Sequence, residues 1–227
     1  GKTIVDPKTV EITKNTTFKA VYELKAGAGH HNYMSGYEDN TFRPDAGITR
    51  AEVATMFANI SSDYSADSKY STTLTDIGSG QWYDNYVAYG SEKGLITGYN
   101  DNSFKPNDKI TRAEFVTIVD KYMKLENEGT SNYPDTNGHW AEGYIAQLSG
   151  KEIITGYEDN TFRPNADITR AEATRIMNGV FGRTPDKSKV DQNIGNYNVT
   201  MNDVPKKHWA YYEILEAVVE HVTSEFH

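Results

Sequence analysis

The chain writes one segment three times, and any fold it adopts must accommodate that segment as a repeated unit. Gly36-Tyr37-Glu38-Asp39-Asn40-Thr41-Phe42-Arg43-Pro44 is followed by Ile48-Thr49-Arg50-Ala51-Glu52. Gly98-Tyr99-Asn100-Asp101-Asn102-Ser103-Phe104-Lys105-Pro106 is followed by Ile110-Thr111-Arg112-Ala113-Glu114. Gly156-Tyr157-Glu158-Asp159-Asn160-Thr161-Phe162-Arg163-Pro164 is followed by Ile168-Thr169-Arg170-Ala171-Glu172. Glycine and arginine stand 14 residues apart in every copy. The copies begin 62 and 58 residues apart, which argues for one array in a chain of 227 residues.

Each copy reads as a loop that opens a helix. Gly36, Gly98 and Gly156 suit a positive φ or a close backbone approach. Asp-Asn followed by Thr or Ser bonds its own backbone and turns the chain, and the proline stiffens the exit. Thr49, Thr111 and Thr169 have the spacing of N-caps, with Glu52, Glu114 and Glu172 three residues on as capping-box partners. The apolar residues beyond them share one helical face: Val53, Met56, Phe57 and Ile60; Phe115, Ile118, Val119 and Tyr122; Ala173, Ile176, Met177 and Val180.

A second pattern precedes the later two copies. Asp76 leads to Trp82 and Val87, Asp135 leads to Trp140 and Ile145, and the loop glycine follows each tryptophan by 16 residues. This front half reads as a short helix whose tryptophan and aliphatic residues face the core. Glu152 replaces the glycine found at Gly94, so the turn there is expected to differ in the third unit. The first copy has no front half, but Asp203, Trp209 and Ile214 repeat the pattern near the C-terminus with no loop after them. Two whole repeats and two halves make three units. The economical reading is a closed ring in which the C-terminal helix packs on the helix of the first copy, because neither half buries its apolar face alone. The other reading is a decayed fourth repeat.

The pattern G-Y-x-D-N-[TS]-F-[RK]-P…I-T-R-A-E resembles the S-layer homology (SLH) domain of bacterial cell-surface proteins, over roughly residues 31 to 227. The resemblance implies three helix-loop-helix units around a pseudo-threefold axis, an all-α core. It also implies a non-covalent anchor that binds an anionic secondary cell-wall polysaccharide, often one with pyruvate-ketal sugars, at the extracellular surface. The corresponding division is 30–73 for the back half of unit 1, 74–132 for unit 2, 133–184 for unit 3, and 185–227 for a linker and the helix completing unit 1. A protein-interaction or self-assembly module making lattice contacts is the second reading, and an enzyme such as a wall hydrolase the third.

Candidate ligand contacts follow from chemistry. Arg50, Arg112 and Arg170 fall just after each cap, where free N–H groups and a partial charge of about half a unit attract anions. The guanidinium fork suits a carboxylate, so alanine at each is expected to weaken wall binding with little loss of fold. The competing reading makes them surface or ion-pair residues. Trp82, Trp140 and Trp209 are either sugar-stacking platforms or core. Asp76, Asp135 and Asp203 either cap the front helix or bond sugar hydroxyls. Gly36, Gly98 and Gly156 let a ligand approach the backbone. Glu52, Glu114 and Glu172 read as structural.

Other chemistries fit poorly. A net charge of −9 disfavours nucleic acid, though a locally positive site still binds anions. No apolar run is long enough to span a bilayer. The chain has no cysteine, which excludes disulfides and thiolate metal sites. Counting a calcium loop from Asp39 puts Arg43 at a ligand position. His30, His31, His208, His221 and His227 lack zinc-type spacing, so no metal or other cofactor is expected. No nucleophile motif is present, so no enzyme is expected.

Residues 1–29 stand outside the repeat. Thr9–Thr13 and Thr17–Glu23 alternate around Asn15-Thr16 and read as a short β hairpin outside the core, the end of a preceding β module with a linker. No leader-like segment opens the chain, so a mature fragment is expected. The polar stretches 61–73, 124–133 and 183–200 are expected to run over the surface.

Overall fold

A computed structural model describes residues 29–126 and 129–227. The expected hairpin over residues 9–23 lies outside the described residues. The principal helices are α1 (Arg50–Ile60), α2 (Asp84–Glu92), α3 (Arg112–Met123), α4 (Glu142–Gly150), α5 (Arg170–Val180), α6 (Lys187–Asn193), α7 (Tyr211–Val218) and α8 (Thr223–Phe226). Two residues at each end, β1 (Gly29–His30) and β2 (His221–Val222), pair antiparallel.

The three back-half helices start where the sequence says they should. Thr49, Thr111 and Thr169 have extended backbone, and each hydroxyl accepts the N–H of the glutamate three residues on. Glu52, Glu114 and Glu172 return the bond to the threonine N–H at 2.8, 2.9 and 2.9 Å. The segments before these caps then meet at the centre of the molecule. The Ile48 N–H donates to Ile168, Ile168 to Ile110, and Ile110 to Ile48, at 3.0, 3.1 and 3.1 Å. This cyclic triangle of backbone bonds, with all three isoleucine side chains buried, marks the pseudo-threefold axis.

Closure of the ring is visible in one repeated bond pair. Asp76 accepts the N–H groups of Phe104 and Lys105 in unit 2, and Asp135 accepts those of Phe162 and Arg163 in unit 3. Asp203 does the same for Phe42 and Arg43, each at 2.7 Å, from 161 and 160 residues away. Tyr33 and Met34 add their N–H groups to the Ala217 carbonyl at the end of α7. The C-terminal segment therefore completes unit 1 by docking on its loop.

The packing of α7 differs from the expected one. It lies against α5, as α2 lies against α1 and α4 against α3. Each front helix is held between its own unit's loop and the back helix of the preceding unit: α1 meets α2 through Ala51 and Ala54, while Val53, Met56 and Phe57 enter the central core that Ile214 and Ala217 of α7 also join. The tryptophans also depart from a core role: Trp82, Trp140 and Trp209 are 60%, 60% and 52% exposed. The core positions of the front helices are filled instead by Val87, Ile145 and Ile214, each 0% exposed.

Two local expectations change as well. Glu152 keeps the left-handed turn of Gly94, with φ of 60° against 70°, so the third unit has the same turn on a residue with a Cβ. The stretch 183–200 is not a bare surface linker. Asp186 caps α6, and Val190 is buried against Leu215, Val219 and Phe226 in a satellite core.

Two predictions follow from this packing. A chain ending before Asn202 should lose hydrogen-exchange protection at Tyr33, Met34, Phe42, Arg43 and along α5, while α3 keeps its protection. Burial of Ile214 alone contributes about 1.5–3 kcal/mol. Equal losses in α3 and α5 would contradict the packing. Glu152→Gly should raise stability by about 1 kcal/mol, because the left-handed region costs a residue with a Cβ about that much; an unchanged or lower denaturation midpoint would contradict it.

Candidate functional site

Three grooves run between neighbouring units, and they are built alike. The first is lined by Gly36, Tyr37, Glu52, Thr55, Trp82 and Arg170, with a volume of about 430 Å³. The second has Gly98, Tyr99, Glu114, Thr117, Trp140 and Arg50, in about 410 Å³. The third has Gly156, Tyr157, Glu172, Arg175, Trp209 and Arg112, and is about twice as large at 870 Å³. Every groove takes its loop and glutamate from one unit, its tryptophan from the next front half, and its arginine from the remaining unit.

The arginines are buried, with 7%, 4% and 3% exposure for Arg50, Arg112 and Arg170. Each reaches into a neighbouring unit and is nearly consumed there. Arg50 donates to the Phe104 and Thr97 carbonyls at 2.7 and 3.0 Å and to Glu114 at 3.2 Å. Arg112 makes the same set to Phe162, Thr155 and Glu172, and Arg170 to Phe42, Ser35 and Glu52. The helix N-termini are consumed too. The Arg50, Arg112 and Arg170 N–H groups donate to Asp108, Ala166 and Ala46, and the next N–H in each helix donates to Pro106, Pro164 and Pro44. The expected anion cradle at the helix start is thus filled by backbone carbonyls of the adjoining unit. The expectation that alanine at the arginines spares the fold does not survive this geometry.

The carboxylates divide by role. Asp76, Asp135 and Asp203 do not cap the front helix; each clamps two loop N–H groups, and the α2 start is instead held by Asp84 accepting from Gly80 and Gln81. Glu52, Glu114 and Glu172 are capping-box residues as expected, and each also meets the arginine of another unit. Burial pushes the Glu52 carboxyl up, but Arg170, the Thr49 N–H and the Tyr37 hydroxyl more than offset it and hold it below its ordinary value.

The glycines are needed for space rather than for φ. A Cβ on Gly36 would meet the Thr41 carbonyl oxygen at 2.9 Å, one on Gly98 the Ser103 oxygen at 2.8 Å, and one on Gly156 the Thr161 oxygen at 2.6 Å. The positive φ falls on Asn40, Asn102 and Asn160, and on Arg43, Lys105 and Arg163. That turn folds the loop cation back over the loop tyrosine. Tyr37 lies between Arg43 at 3.9 Å and Arg170 at 4.8 Å, and Tyr157 between Arg163 at 3.9 Å and Arg112 at 4.8 Å. Tyr99 has Lys105 at 4.4 Å and Arg50 at 4.8 Å. The Tyr37 hydroxyl donates to Glu52 at 2.6 Å, and burial with that bond pushes its pKa up to about 12. These tyrosines stand beside the glycine in every copy, and the repeat of Gly-Tyr is the sequence signal that marks them.

The grooves differ at one position on the back helix. Thr55 and Thr117 turn their hydroxyls back onto the Ala51 and Ala113 carbonyls. The third groove has Arg175 there, exposed and with its guanidinium carbon 5.9 Å from the centre of the Trp209 ring. Arg183 lines the same groove.

Arg112→Ala should lower stability by about 3–5 kcal/mol, as breaking a buried ion pair on one side does, and Arg50→Ala and Arg170→Ala should match it; urea denaturation that barely moves would show the clasps to be dispensable. The Glu52 contribution should be fully present above its unfolded value of about 4.3 and fade as pH falls through its depressed folded value. Arg170→Met should flatten that part of the pH–stability curve, and an unaltered curve would count against the pairing.

Comparison with known proteins agrees with this architecture. The S-layer homology domain profile matches residues 30–54, 73–116 and 132–174, one match per unit. A cellulosome-anchoring protein of Acetivibrio thermocellus is 38% identical over 205 residues, covering 86% of this chain and 44% of that protein. Cell surface glycoprotein 1 of the same organism is 32% identical over 208 residues, covering 86% of the chain and 9% of that protein. An amylopullulanase of Thermoanaerobacterium thermosulfurigenes is 30% identical over 185 residues, 78% of this chain and 10% of the enzyme. The chain thus spans less than half the length of these relatives. Three matched repeats closed into one ring make this chain a member of the S-layer homology domain family.

Proposed function

We propose that the chain anchors a surface protein non-covalently to the bacterial cell wall by binding an anionic secondary wall polysaccharide, outside the cell, in the grooves between units. The observation that carries this reading is the threefold recurrence of an exposed tryptophan facing a glycine-edged loop, beside a buried cation. An exposed indole has no packing reason to recur in three units, whereas a flat apolar face with one N–H suits a sugar ring. The glycine edge lets a saccharide approach the backbone, and Trp82, Trp140 and Trp209 supply the platform. Arg50, Arg112 and Arg170 contribute positive potential from beneath rather than a free fork. Asp76, Asp135 and Asp203 act by holding the loop that forms the groove wall.

The third groove is the best suited to a carboxylate-bearing sugar such as a pyruvate ketal. It is the largest, and Arg175 there pairs with no carboxylate among the described residues. The anchoring and surface proteins among the relatives support the reading, and the amylopullulanase fits a module appended to a separate catalytic part. A non-catalytic role also fits the groove glutamates, since Glu52, Glu114 and Glu172 are already engaged by caps and arginines.

Trp209→Ala should weaken binding to purified wall about 10-fold, and Arg175→Ala about 10- to 100-fold, the loss of a charge-assisted bond of roughly 1.5–3 kcal/mol. Both are exposed, so stability should move by only about 0.5 kcal/mol. Binding should also fall when the secondary polymer is extracted from the wall. Undiminished retention by extracted wall, or by the double variant, would point to self-assembly or protein contacts instead.

A further inference from the structure

We infer that the chain holds one first-row divalent metal ion, of the zinc type, in a closed site formed by His30, Glu216, His221 and His227. One ligand atom from each of these residues lies within 4.8 Å of every other. The four come from opposite ends of the chain: His30 from β1, Glu216 from α7, His221 from β2, and His227 just after α8. No zinc-type spacing links them in sequence. The fold creates the cluster when β1 pairs with β2.

The cluster's polar atoms do not fully satisfy one another. The Glu216 side chain is 0% exposed, and only imidazoles lie within ion-pair distance of it among the described residues: His30 Nδ1 at 2.6 Å, His227 Nε2 at 3.0 Å and His221 Nε2 at 3.1 Å. A buried carboxylate needs a positive charge, and a neutral imidazole supplies none. The His221 Nδ1 lies 2.8 Å from the Val219 carbonyl, which can only accept, so this nitrogen carries the proton. A neutral ring in this tautomer would turn its Nε2 lone pair towards Glu216 Oε2, 3.1 Å away, a contact that a cation between the two atoms relieves. That Nε2, and the Nε2 of His30, are buried with no hydrogen-bond partner among the described residues. A cation among the four resolves these defects together.

The second-sphere arrangement is also the one a metal-bound histidine uses, with the remote N–H fixed on a backbone carbonyl and the ring orientation thereby set. Phe226 stacks on the His221 ring at 3.9 Å and shuts one side from water. Three imidazoles and one carboxylate are borderline ligands that suit zinc, cobalt or nickel over calcium or magnesium. Ligand atoms around a tetrahedral zinc at about 2.1 Å are roughly 3.4 Å apart, so the widest separations, at most 4.8 Å, need to shorten and the contacts of 2.6–3.1 Å to Glu216 to lengthen, each by an ångström or so. Four protein ligands leave no open position, which makes the ion a structural staple. It would tie the start of the first unit to the C-terminal segment that completes it.

The test uses the full chain, stripped with a chelator and dialysed. Isothermal titration with Zn²⁺ should show one ion per chain, with the melting temperature rising as the ion is added. Co²⁺ should give the strong visible absorption of a four-coordinate site. His227→Ala is the mildest disruption, since that side chain is the most exposed of the four. It should weaken Zn²⁺ binding at least 10-fold and abolish the cobalt band. Glu216→Gln is the second variant and should do the same. The groove variant Arg175→Ala should leave both readouts unchanged, so that failure of the metal site and failure of wall binding are separable. A melting temperature indifferent to Zn²⁺, weak multi-ion binding, or a cobalt band that persists in both His227→Ala and Glu216→Gln would overturn the assignment and point to exposed histidines such as His31.

Discussion

Everything in this molecule hangs on three backbone hydrogen bonds that run in a circle. Ile48, Ile110 and Ile168 each donate to one neighbour and accept from the other, so no one copy of the motif satisfies its own backbone. A buried backbone group without a partner is costly, and a single unit would expose this strand-like segment and the helix start beyond it. The guanidinium of each repeat then crosses the same seam to a carbonyl pair and a glutamate of another unit. Together the triangle and the clasps make the trimeric arrangement the smallest closed solution. They also explain why a chain with two whole repeats must find its third unit by joining its two ends.

This dependence places the functional surface. Because each arginine, glycine loop and tryptophan in a groove comes from a different unit, the groove exists only once the ring is shut. Burying the cations has a second consequence. A guanidinium held by two carbonyls and a carboxylate is fixed in position, so it shapes the groove and sets its potential without being free to swing onto a ligand. In the proposed function, recognition would fall to groups on the rim, the exposed indoles and the loop backbone, and to Arg175, which stands in the third unit where the other two have threonine. Threefold symmetry builds the scaffold, and departures from it distinguish one groove from another.

Much of this was legible in the residues because the relevant signals are local and repeated. The capping boxes at Thr49, Thr111 and Thr169 needed only the spacing to Glu52, Glu114 and Glu172, and the split repeat followed from Asp203, Trp209 and Ile214 appearing without a loop. What escaped was non-local. The direction in which Arg50 reaches cannot be read from its own helix, since its partners Phe104 and Glu114 lie 54 and 64 residues away. An indole at a helix start is equally compatible with core and rim until the neighbouring loop is placed, and Val87 rather than Trp82 proved to be the residue facing inward. The α7 face was assigned to α1 because one unit was expected to be self-contained, whereas each front helix bridges two. The histidine cluster was invisible for the same reason, as His30 and His221 meet only through ring closure.

The chain has three tryptophans, one in each groove. Their indole N–H signals in a two-dimensional ¹H–¹⁵N spectrum therefore report the three sites separately. Titration with a short pyruvylated fragment of a secondary wall polymer, against the same fragment with the ketal removed, is the most direct test. The account predicts that indole signals shift with the pyruvylated fragment, the Trp209 signal at the lowest concentration, and that the stripped fragment shifts it far less. Indole signals that stay fixed while the fragment binds elsewhere would contradict the claim that the composite grooves recognise the wall.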